Sequence, residues 1–96
     1  MADHLASRSF RAAVYVETSK GARPRAVGSV RDTAEVLLAW PTEKRGRAFE
    51  IACAVCRCAL VGDVRAEIAR RAFILAAKES GIFVREGAGG GDQSRP

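Results

Sequence analysis

The segment from Gly46 to Val61, G-R-A-F-E-I-A-C-A-V-C-R-C-A-L-V, constrains this chain more than any other. It is long enough for about four helical turns, and Gly62 comes next, where a left-handed C′ residue would end such a helix. Its apolar run is interrupted mainly by Arg47, Glu50 and Arg57. A helix apolar nearly all round is either central in its fold or covered on a second side by a partner. At about 100° per residue, Phe49, Ala52, Cys53, Cys56, Ala59 and Leu60 share the side expected to be buried. Ile51, Val55 and Cys58 fall elsewhere, which makes them the candidate partner surface.

The flanking segments show what such a helix would pack against. From Phe10 the pattern alternates, with Phe10, Ala12, Val14 and Val16 on one face and Arg11, Tyr15 and Glu17 on the other, as in a half-buried strand. T-S-K-G-A-R-P supplies turn chemistry, and Arg25 to Gly28 reads as the return strand of a hairpin. Ser29 with Asp32 three residues on resembles a capping box. It opens a helix that sends Val30, Ala34, Leu37 and Leu38 toward a core and stops at Pro41, after Trp40. Asp63 is positioned to cap a third helix running to about Ser80, with Ile68, Ala69, Ala72, Phe73 and Ala76 inward. Gly81 ends it, and Ile82 to Val84 reads as a last short strand.

The resulting order, β-β-α-α-α-β, predicts an α+β fold: a small three-stranded sheet with three helices packed on one face. Residues 1–8 are expected to be a flexible N-terminus, 9–85 a single domain and 86–96 a disordered Gly-rich tail. A chain of 96 residues, 48% hydrophobic and 28% charged, suits one globular domain with a modest core. Its apolar runs are too short to span a bilayer, and the N-terminus has no apolar stretch of the signal-peptide kind. The three cysteines are crowded together, whereas disulfide frameworks spread cysteines along the chain, so a reduced cytoplasmic setting is expected.

Catalytic and cofactor chemistry finds little support. The only histidine, His4, lies near the N-terminus, so no positioned His base is expected. Cys53 and Cys56 are about 60° apart on a helix, while Cys58 is about 160° from Cys56, so the three cannot converge on one ion. A reactive thiol pair gains from a helix N-terminus, and Cys53 lies about two turns inside. No phosphate-binding glycine loop is present. The chain is therefore expected to be non-enzymatic, without metal or cofactor. The formal charge of +5 leaves a second reading, weak nucleic-acid binding. Its candidate contacts are Trp40, Lys44, Arg45 and Arg47 around the basic connection, with Trp40 either stacking on a base or closing the core. Arg70 and Arg71 are expected on a solvated face. The primary reading is a protein-interaction module, binding an unknown partner or itself as a homodimer, with no membrane contact.

Several stretches together carry a resemblance. They are P-R-A-V-G-S-V-R-D-T-A-E-V-L-L-A-W-P, K-R-G-R, the A-x-x-x-C-x-x-A-L-V-G helix end, and A-R-R-A-F-I-L-A-A-K-E-S-G-I-F-V. From about Val14 to Val84 the chain resembles the bacterial family called domain of unknown function 982, small proteins found mainly in rhizobia and related soil bacteria. The motif cysteine corresponds to Cys56, or to Cys58 in a shifted register. The resemblance implies the same element order and brings no established activity, cofactor or catalytic residue.

Overall fold

The computed structural model describes residues 9–87. Strand β1 (Ser9–Val16) and strand β2 (Arg25–Ser29) form an antiparallel hairpin, and Ser29 leads directly into helix α1 (Val30–Leu38). A single 3₁₀ turn (Thr42–Lys44) precedes helix α2 (Arg47–Leu60). Helix α3 (Ala66–Glu79) and strand β3 (Phe83–Glu86) complete the expected order. The chain returns β3 antiparallel to β1, so the sheet runs β2-β1-β3 with β1 in the middle. Its last strand continues to Glu86, opposite Val14, and the Gly87 N–H donates to the Ala13 carbonyl at 2.7 Å. Pairing therefore reaches past residue 85. The expectations for residues 1–8 and for the tail from Ala88 lie outside the described residues.

The period-2 pattern of β1 sets the layers. Ala12, Val14 and Val16, joined by Val27 of β2, are buried on the helical side of the sheet. On the other face Tyr15 is covered only in part, by Arg85, whose guanidinium carbon stands 3.9 Å from the ring centroid. Helix α3 lies on β1 and β3, and α1 lies on β2. Helix α2 rests on α1 and α3, with no more than marginal contact with the sheet, and so forms the outermost layer. Phe73 is fully buried at the centre, and the Trp40 ring lies 5.6 Å from that of Phe49 and 5.9 Å from that of Phe73.

Local signals account for the helix ends, with two departures. The Ser29 Oγ accepts from the Asp32 N–H at 3.1 Å as a capping box requires, but the Asp32 carboxylate accepts from Gly28, one residue upstream of the usual partner. At the end of α2, Gly62 takes φ +88°, and the N–H groups of Gly62 and Asp63 donate to the carbonyls of Ala59 and Cys58. This is a Schellman motif, repeated after α3 by Gly81 at φ +74° and Ile82. It corrects the expectation for Asp63. Asp63 sits in the turn that closes α2, two residues upstream of the N-cap, and Arg65 opens α3 without a side-chain cap.

Four side chains also depart from the expected division between core and surface. Leu38 is 82% exposed, because the inward positions of α1 are Val30, Thr33, Val36 and Leu37, and Leu38 sits about 100° past Leu37. Ile68 is only half-buried, while Ile74 is buried. Arg70, expected on a solvated face, is 8% exposed. Its Nε donates to the Ala12 carbonyl at 2.8 Å, Nη1 to Glu67 at 3.0 Å, and Nη2 to Glu86. The guanidinium thus ties α3 to β1 and β3. Arg71 is exposed as expected.

Candidate interaction surface

Helix α2 is anchored at its start by a group far away in sequence. The carboxylate of Glu79, the last residue of α3, accepts from the N–H of Ala48 at 3.1 Å and from that of Phe49 at 3.3 Å. These are the first-turn donors that a helix leaves unpaired, and a carboxylate also suits the positive end of the helix dipole. Gly46 makes this approach possible. A Cβ at that position would stand 2.6 Å from a Glu79 oxygen. The contact holds α2 antiparallel to α3, with the start of one beside the end of the other.

That anchoring aims the rest of the helix. Phe49, Ala52, Cys56 and Ala59 are buried, and Cys53 and Leu60 are half-buried, facing α1 and the core. On the opposite side Ile51 is 50% exposed, Ala54 and Cys58 are exposed, and Val55 is half-buried against the core edge. Leu75 of α3 is 61% exposed. The helical phase of the antiparallel pair places Leu75 and half-buried Ile68 on the same side as Ile51 and Val55. The surface is therefore wider than α2 alone. A sequence signal for it existed: Phe73, Ile74 and Leu75 are consecutive, and three adjacent large apolar side chains cannot share one face of a helix.

The basic connection is occupied from within. Trp40 is 3% exposed, so its ring has no free face on which a base could stack, and it serves instead as a core contact. Its Nε1–H lies 3.0 Å from the Ser80 Oγ and 3.3 Å from the Lys44 carbonyl. Arg45 donates from Nε and Nη2 to the Trp40 carbonyl and stands 5.2 Å from the Phe49 ring centroid. Lys44 and Arg47 are exposed and without an ion-pair partner among the described residues. The nearby start of α2, which could otherwise receive a phosphate, already holds the Glu79 carboxylate.

The cysteines take three different environments. Cys56 is buried, Cys53 half-buried and Cys58 exposed, and none is in a disulfide. Burial pushes the Cys56 thiol above its ordinary pKa. It also raises that of Cys53, against the opposing pull of Arg57 and Arg45. Both therefore stay protonated near neutral pH, the inert form of a thiol. Among the described residues no three His, Cys, Asp or Glu side chains are grouped to hold a metal ion, and no helix is long and apolar enough to cross a membrane. Beside the cysteines, a groove of about 440 Å³ between α1 and α2 is lined by Leu37, Leu38, Phe49 and Cys53, with Arg45 and Arg57 at its edge.

Fold and surface together define a small α+β domain whose outermost helix carries an exposed apolar face. Residues 12–84 match the model of the family described as "Protein of unknown function (DUF982)", and the chain belongs to that family. No curated protein and no solved structure matches it.

Proposed function

We propose that this protein is a non-enzymatic interaction module of the cytoplasm, acting through the outer face of α2 and α3, with a second copy of the chain as its partner. The observation that carries this reading is the position of α2. The helix with the fewest polar interruptions lies in the outermost layer, and Ile51 on it and Leu75 on neighbouring α3 remain half or more exposed. A side chain of that kind gains about 1.5–3 kcal/mol when fully buried, so a surface that covers several of them is favoured. Two of the three thiols are held in their unreactive form, which fits contact rather than chemistry.

Light scattering across a concentration series tests the proposal on the full-length chain. A monomer–dimer equilibrium is expected, with Ile51→Glu and Leu75→Glu shifting it to monomer while circular dichroism stays native. A wild-type protein that remains monomeric throughout the series overturns the reading. Val55→Glu probes a different point: Val55 packs partly against the core. That substitution should lower stability as well as association.

A further inference from the structure

Resting on that self-association, we infer that two copies dock α2 against α2 in antiparallel order about a two-fold axis near Ala54, each Glu50 pairing with the partner's Arg57. The exposed side of α2 is centred on Ala54, diametrically opposite the buried line through Ala52 and Cys56. Ile51 and Cys58 flank this centre on the side toward α3. Glu50 and Arg57, both exposed, flank it on the side toward α1. They stand two turns apart along one line of the helix, one before Ala54 and one after.

A two-fold axis across the helix reverses its direction and keeps each flank on its own side. Residues before Ala54 in one copy then face residues after Ala54 in the other. A single register places Ile51 against the partner's Cys58 and Glu50 against the partner's Arg57. Both matches lie about 5 Å from the crossing point, at ~1.5 Å per residue, so they survive a wide range of crossing angles. Ala54 at the crossing presents only a methyl group, which lets the helix axes approach to about 8 Å. Neither Glu50 nor Arg57 has an ion-pair partner among the described residues of its own chain. The flank toward α1 also bears Arg45 beside Arg57 with no carboxylate lining the groove there, so the partner's Glu50 supplies the missing sign.

Charge reversal tests the register, with sedimentation equilibrium as the readout and circular dichroism confirming the fold. Glu50→Arg and Arg57→Glu alone each place like charges together twice in the dimer, and each should weaken association by about tenfold or more. The double variant restores opposite charges and should return within about twofold of wild type. Raising the salt concentration should weaken the wild-type dimer. A wild-type dimer indifferent to both single reversals, or a double variant no tighter than the singles, overturns the register while leaving self-association standing. A wild-type protein monomeric at every concentration overturns both.

Discussion

Arg70 shows how much one side chain can do that its sequence neighbourhood hides. It adjoins Arg71 in a run that reads as a solvated face, yet its guanidinium is held by Ala12, Glu67 and Glu86. Removing it leaves the Ala12 carbonyl without this donor and two carboxylates without their cation. Arg70→Ala is expected to cost about 2 kcal/mol, most of it from the carbonyl, because the carboxylates can turn to water. Arg71→Ala, one position on and exposed, should stay within about 0.5 kcal/mol. Urea unfolding of the two variants side by side checks the contrast. Cys56 gives a second prediction at this scale. Its folded thiol holds its proton more tightly than an unfolded cysteine does. Stability is therefore complete below the ordinary thiol pKa of about 8.5, and it declines as pH rises from there through the folded value. Unfolding curves between neutral and alkaline pH should show that decline, and Cys56→Ala should make it shallower.

At the scale of elements, the join between α2 and α3 depends on a pair 33 positions apart, Gly46 and Glu79. Glu79→Ala removes the carboxylate from the first-turn N–H groups and is expected to destabilise by about 1 kcal/mol. Gly46→Ala pushes the same carboxylate away and should cost about 1–2 kcal/mol. Because both lose one interaction, the double variant should cost clearly less than the sum, and a thermal-melt double-mutant cycle reads that coupling directly. The ends of these helices were legible in the sequence. Gly62 and Gly81 occur where the apolar periodicity stops, and each adopts the positive φ of a Schellman motif. The start of α3 was not legible. Asp63 has the right chemistry for a cap, but its place in the Gly62 turn leaves it two residues ahead of Arg65, which holds the N-cap position.

For the molecule as a whole, the basic balance of +5 does not translate into a nucleic-acid surface of the expected make-up. Trp40 is buried and Arg45, although exposed, is tied to the Trp40 carbonyl, which leaves Lys44 and Arg47 as the exposed cations of that connection without such a tie. Oligonucleotide titrations should show at most weak low-salt binding, with a log–log salt slope of about two or less. A steeper slope would require a larger cationic footprint than this connection offers.

The element order, the hairpin, the inward faces of β1 and α2, and two of the three helix ends are determined by the sequence alone, because periodicity and glycine placement are local properties. Which layer each helix occupies is not local. The same apolar pattern on α2 suits a central helix and an outer one with a covered face, and only the packing of α1 and α3 on the sheet decided between them. The same is true of Arg70, Trp40 and Glu79. Their partners lie 58, 40 and 31 positions away in the chain, beyond the reach of any helical or strand repeat. Tertiary structure alone brought Glu79 to the start of α2 and left Ile51, Ala54 and Cys58 uncovered.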